Sequence, residues 1–216
     1  MLCAPPSAGK SFVALDMAFH IASGRPWMGQ RVQGGPVLYV AAEGATGLHN
    51  RIAALKAANP SVHDIPLALL SATLDLTNDP EAVLRLIEAA KRLQATCIVL
   101  DTLARLFPGD ENNPEHMGGV LQVLGQLEAA TDTLVVVIHH PPKTKGATTA
   151  RGHSMMDGAV DVALYIHHEE GKRQLLSIKQ KDMALGEPYD IDLKIVNLGK
   201  DSDGDPVTSC VVTSYR

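Results

Sequence analysis

The stretch Ala4-Pro5-Pro6-Ser7-Ala8-Gly9-Lys10-Ser11 comes within one residue of the phosphate-binding loop pattern G-x-x-x-x-G-K-[ST]. An apolar lead, Met1-Leu2-Cys3, precedes it, and a helix-patterned run from Ser11 to Ser23 follows. Phosphate binding needs that order. A strand delivers a tight loop whose backbone N–H groups converge on phosphate oxygens, and the helix behind it adds its positive end. Lys10 would reach the β- and γ-phosphates, and the Ser11 hydroxyl would ligate Mg²⁺. Ala4 stands where the pattern has its first Gly, a position that only has to let the chain leave the strand. The pattern predicts a nucleoside triphosphate held by Ala4, Pro5, Pro6, Ser7, Ala8, Gly9, Lys10, Ser11 and Phe12.

In open parallel sheets, chemistry gathers at the carboxyl ends of strands, and three polar residues stand at such ends. Asp101 closes Ile98-Val99-Leu100, where a Walker B carboxylate would hold Mg²⁺; the alternative is a helix N-cap. Glu43 closes the run Val37 to Ala42, where a carboxylate can orient or deprotonate the water that attacks the γ-phosphate. Its alternative is an exposed residue at a helix entrance. His139 follows Val135 to Ile138 and is placed either to sense the γ-phosphate or to be a satisfied histidine at a strand end.

Between Pro142 and His153 lie Lys143, Lys145 and Arg151 among Gly and Thr, with no acidic residue. Such a loop suits a phosphate backbone or, more plainly, a solvated face; without aromatics, any nucleic-acid contact would be sequence-independent. Lys179-x-Lys181 ends a late strand, and cations there could reach the γ-phosphate of an adjacent subunit. The Gly109-Asp110-Glu111-Asn112-Asn113 segment is acidic and reads as a subunit contact or as solvated chain.

The elements that must position these residues alternate. Apolar strand runs are expected at Val37–Ala42, Pro66–Leu70, Cys97–Leu100 and Leu134–Ile138, with helices at Thr46–Ala58, Asn78–Leu93 and Glu115–Ala130 between them. A short helix and strands near Val162–His167, Gln174–Lys179, Tyr189–Val196 and Val207–Thr213 follow, the last two joined at Asp201-Ser202-Asp203-Gly204-Asp205. This is an α/β pattern: a mostly parallel sheet covered by helices on both faces, with antiparallel strands at the C-terminal edge. No linker or repeat breaks residues 1–216, so one domain is expected. Only three residues precede Ala4, where a central strand needs about five or six, so the first strand is expected to be clipped.

With 216 residues and 45% apolar content, the chain can bury a real core. No apolar run reaches membrane-span length, and no leader pattern opens the chain. The three cysteines are far apart and the nine histidines lack metal-ligand spacing. They predict a reducing, cytoplasmic setting and no metal other than nucleotide Mg²⁺. A net charge of −5 gives no global nucleic-acid signature, so any DNA argument must be local.

Taken in order, the phosphate loop, A-A-E-G, I-V-L-D-T, V-I-H-H, the A-R-G-H-S loop and K-Q-K-D resemble the RecA-like ATPases of the plasmid RepA type. These are hexameric replicative helicases with relatives in phages and mobile elements. The resemblance spans essentially the whole chain and includes Gly24-Arg25-Pro26-Trp27 and Gly109-Asp110-Glu111-Asn112. It implies a RecA core, ATP and Mg²⁺ as ligands, hydrolysis at subunit interfaces of a hexameric ring, and single-stranded DNA in a central channel. It implies Glu43 as the catalytic glutamate, Asp101 as the Walker B aspartate and His139 as the sensor, with His140 its competitor. Lys143, Lys145 and Arg151 would face DNA, and Lys179 and Lys181 would be the trans-acting pair. The better-known helicases carry Lys-x-Arg there, and Lys181 lacks the bidentate grip of a guanidinium. Other readings are a recombination mediator or KaiC-like switch without unwinding, and a degenerate nucleotide-binding subunit. A small-molecule kinase would need an arginine-rich lid, which the sequence lacks.

Overall fold

A computed structural model describes residues 1–42, 45–140 and 154–215. The order of elements is β1 (Leu2–Cys3), α1 (Lys10–Ser23), β2 (Val37–Ala41), α2 (Ala45–Ala58), β3 (Leu67–Ser71), α3 (Pro80–Leu93), β4 (Cys97–Asp101), α4 (Leu103–Leu106), α5 (Pro114–Thr131), β5 (Leu134–His139), α6 (Ser154–Ala159), β6 (Val162–Glu169), β7 (Lys172–Gln180), β8 (Tyr189–Lys200) and β9 (Pro206–Tyr215).

The strands form one nine-stranded sheet, ordered β3-β2-β4-β5-β1-β6-β7-β8-β9. Pairing is parallel from β3 through β6 and antiparallel from β6 through β9. This is the architecture expected of a RecA-like core. Every residue of β2 and β4 is buried, as it must be in parallel strands covered on both faces. Successive side chains point to opposite faces. Val37, Tyr39, Ala41, Cys97, Val99, Val136 and Ile138 meet α1 and α2 on one face. Leu38, Val40, Ile98, Leu100 and Val137 meet α3, α4 and α5 on the other.

The helices start and stop for local reasons. The Asp79 carboxylate accepts from Ala82 N–H at 3.0 Å and Pro80 follows it, so α3 begins there. The Asn113 side chain does the same for α5, accepting from Glu115 N–H at 2.8 Å. Helix α1 ends at Gly24, whose φ of 64° admits the left-handed turn.

Helix α1 is buried almost all round: Val13, Ala14, Leu15, Met17, Ala18, Phe19, Ile21 and Ala22 are all enclosed. The C-terminal strands explain this. Among the described residues, strand β8 pairs with β7 only from Tyr189 to Ile191, against Arg173 to Leu175, and then runs on paired with β9 alone. The resulting hairpin closes over α1 and α2, carrying Ile191 and Val211 into their core. Its turn is the expected one, with Asp201 N–H donating to the Asp205 carbonyl at 3.0 Å. Among the described residues, no helix is long and apolar enough to cross a membrane.

Candidate functional site

Residues 4–9 form the bend between β1 and α1. Ala4 and Ala8 are fully buried and anchor it, while Pro6 and Ser7 are exposed. Ser7 and Gly9 take positive φ, 62° and 97°, which turns successive peptide N–H groups toward one side, the geometry of an anion nest. Only glycine adopts the Gly9 conformation without strain. A Cβ there would also come within 3.1 Å of Leu193 Cδ1 on β8. Gly9 caps α1 without a side-chain hydrogen bond, so no side chain of its own screens the helix start from an incoming anion. Lys10 is 7% exposed, and its Nζ donates to the Ala4 and Pro5 carbonyls, each at 3.0 Å. Ser11 and Phe12 follow in the first turn, half-buried. The Arg51 guanidinium from α2 lies 4.8 Å above the Phe12 ring, a cation–π pair that ties α2 to the loop helix.

Register places the second part of the site. Leu2 pairs with Ile138, Ile138 with Asp101 and Asp101 with Ala41, so all four lie in one row across β1, β5, β4 and β2. The loop begins two residues above that row. Asp101 is two strands from β1, roughly 10 Å sideways, which leaves room for a phosphate chain. Neighbours β2 and β4 lead into helices on opposite faces, and such a divergence opens a crevice at the strand ends. Asp101 lies in that crevice, 6% exposed. Its Oδ2 accepts a 2.6 Å hydrogen bond from the Tyr39 hydroxyl, while Oδ1 is buried with no hydrogen-bond partner among the described residues. The N-cap position of the next helix, α4, is Thr102, which makes no side-chain cap bond, so Asp101 is not a helix cap. A lone, dry carboxylate oxygen at a strand end suits a hard divalent cation, which takes oxygen ligands. The donor set of Asp101 and the Ser11 hydroxyl therefore fits Mg²⁺. Burial pushes the Tyr39 hydroxyl well above the ordinary tyrosine range, and the neighbouring Asp101 charge pushes the same way. Tyr39 thus stays a donor.

His139 stands at the same end of the sheet, opposite Cys3 just before the loop, but on the other face. It continues the alternation of Val135 and Val137, on the α5 face, opposite the face that Asp101 shares with α1. It is 1% exposed, with Nδ1 3.9 Å from Glu111 Oε1. The acidic segment, read from sequence as a subunit contact or as solvated chain, thus brings Glu111 against the strand end.

The two late lysines stand at the end of β7, two strands to the side of β1. Lys179 pairs with Ala163, just below the Leu164–Leu2 row where β1 begins. Its Nζ donates to the Asp157 carbonyl and, at 3.4 Å, to the Gly158 carbonyl near the end of α6. Lys181 Nζ is 3.1 Å from Asp161 Oδ1. That hydrogen bond and the Asp161 charge raise the Lys181 ammonium above its ordinary value. Glu43, Lys143, Lys145 and Arg151 lie outside the described residues.

The structure therefore brings Ala4 to Phe12, Asp101 and, on the opposite face, His139 to one end of the sheet, and adds Tyr39 and Arg51 to them. Tyr39 carries one sequence signal: a tyrosine inside an otherwise aliphatic buried strand needs a partner for its hydroxyl. Arg51 carries none, because an arginine on a helix reads as surface. Residues 1–146, from β1 past the end of β5, match the family model described as AAA domain.

Proposed function

We propose that this chain, which belongs to the AAA domain family and is an ATPase of the AAA/RecA-like type, is the subunit of a ring-shaped, ATP-driven motor acting on single-stranded DNA. The observation that carries the nucleotide chemistry is the junction of an uncapped α1 with the crevice holding Asp101. The peptide N–H groups of the loop receive phosphate oxygens, and Lys10 exchanges its Ala4 and Pro5 carbonyls for the β- and γ-oxygens. Ser11 and Asp101 hold Mg²⁺. When bound, that ion neutralises the negative charge of the phosphate oxygens. Glu43 orients the attacking water and takes its proton as the water oxygen bonds to the γ-phosphorus and the bond to the β-bridging oxygen breaks. ADP leaves with that electron pair. His139, against Glu111, senses the γ-phosphate and passes its loss to the segment holding Lys143, Lys145 and Arg151, which lies on DNA.

Lys179 and Lys181 act on a neighbour's nucleotide. They stand at the end of β7, two strands to the side of β1 and its loop, and the resemblance to ring helicases supports this role. A second reading, a mediator or switch that uses ATP for assembly, is favoured by a different fact: both lysines are engaged within their own chain. Steady-state ATPase assays with and without single-stranded DNA, at low and moderate salt, separate the two. Strong stimulation that fades with salt supports the motor; turnover indifferent to DNA supports the switch. Glu43→Gln should keep ATP binding and abolish turnover, whereas Lys10→Ala should weaken both. Normal hydrolysis by Glu43→Gln would remove Glu43 from the mechanism.

A further inference from the structure

We infer that Tyr39 is a positioning residue that fixes the carboxylate of Asp101 so that one chosen oxygen faces the metal. The inference rests on the reading of Asp101 as a Mg²⁺ ligand. Tyr39 and Asp101 belong to neighbouring strands, with Tyr39 opposite Val99 and Ala41 opposite Asp101. Alternation puts Tyr39, Ala41, Val99 and Asp101 on the same face of the sheet. Asp101 is two residues further along, roughly 6.6 Å up the strand, and a phenol ring with its hydroxyl spans about that length. The hydroxyl therefore arrives end-on at Oδ2, at 2.6 Å, the short distance of a hydrogen bond to a charged acceptor. Phenylalanine would fill the same space among Val37, Val99 and α1. The hydroxyl adds nothing to packing, and in a fully buried position it would carry a penalty without an acceptor.

The consequence falls on the other oxygen. A carboxylate can turn its two oxygens past one another, and each orientation lost on binding weakens a ligand. With Oδ2 tied to Tyr39, Oδ1 alone remains for the crevice, and Oδ1 is the atom buried without a partner. The phenol thereby makes the ligand preorganised. A hydrogen-bonding partner behind a metal ligand typically contributes 10–100-fold in metal affinity.

Tyr39→Phe tests this. A fluorescent ATP analogue is bound to the full chain first without metal and then under a Mg²⁺ titration, with Mn²⁺ followed by electron paramagnetic resonance in the same complexes. The expected result is a rise of about tenfold in the Mg²⁺ concentration at half-saturation, a matching weakening of Mn²⁺, and unchanged affinity for metal-free nucleotide. An unchanged Mg²⁺ midpoint overturns the inference, and so does an equal loss of metal-free binding, the mark of a role in packing alone. Asp101→Asn separates this failure from that of the underlying reading. If Asp101→Asn shifts the midpoint and Tyr39→Phe does not, only the Tyr39 role falls; if Asp101→Asn leaves it in place, Asp101 is no ligand and both fall. Where Tyr39→Phe alone does not fold, the double variant Tyr39→Phe/Asp101→Asn is compared with Asp101→Asn. Equal midpoints are expected, because Tyr39 acts through Asp101; a further shift overturns the inference.

Discussion

Asp16 is a carboxylate in a place that composition alone would not choose for it, on the buried side of α1, 7% exposed. Trp27 Nε1 donates to its Oδ2 at 2.9 Å, and His20 Nε2 lies 3.9 Å from Oδ1. Burial raises its pKa from 3.8; the His20 charge and the Trp27 hydrogen bond offset only part of the rise. The sign of the pH effect follows. A group whose folded pKa lies above its unfolded value contributes stability that is present below the unfolded value and lost as pH rises through the folded one. Asp16→Asn keeps an acceptor for Trp27 and cannot ionise. Its thermal midpoint relative to the parent is therefore expected to climb as pH rises from about 4 and then level off. A difference that instead falls with pH would mean that His20 pairing outweighs desolvation. At this scale spacing pointed to Gly9, Lys10, Ser11 and Asp101, which the structure sets at one end of the sheet. The sequence was silent where a residue's meaning is its partner. Tyr39 signals that its hydroxyl needs an acceptor but not which one, and Glu111 reads as one more charge in an acidic loop.

The elements were legible for a different reason: burial on both sheet faces leaves uninterrupted apolar runs, and helix starts carry their own caps. Helix α3 shows both signals. Asp79-Pro80 sets its first turn, and Ala82, Val83, Leu86, Ile87 and Ala90 form the stripe it buries. Helix α4 escaped notice because four residues, Leu103 to Leu106, are too short to show a period. Asp79→Ala should remove the Ala82 N–H cap at a loss of about 1 kcal/mol, with a thermal midpoint lower by roughly 2–4 °C. The exposed Arg85–Asp79 ion pair, 3.1 Å long, adds little to that loss. Steady-state turnover should not move, because α3 packs on the sheet face opposite Tyr39 and Asp101. A fall in turnover at full folding would mean that the two faces are coupled.

Across the whole molecule, the question is what encloses the phosphate-loop helix. The segment that matches the family model ends at residue 146, yet α1 is closed over by a hairpin drawn from residues 189–215. Sequence showed that hairpin as two strands and a turn but not where it goes, since a hydrophobic pattern marks a face without naming what covers it. Among the described residues, strand hydrogen bonds join the hairpin to the rest of the sheet only along Tyr189–Ile191, so apolar contact with α1 and α2 does much to hold it in place. Ile191, 4% exposed, lies at the hinge of that contact, and two residues on, Leu193 rests against Gly9. Ile191→Ala should therefore act twice. It should destabilise the fold by roughly 2–5 kcal/mol, as truncation of a buried isoleucine does, and it should weaken ATP binding by letting β8 lift from the loop. Urea unfolding reads the first effect. Nucleotide affinity at a temperature where the variant is fully folded reads the second, and hydrogen exchange across α1 should show faster opening in the same sample. Lost stability with unaltered affinity would leave the hairpin a cover for the helix; a loss of both makes the C-terminal strands part of the nucleotide site.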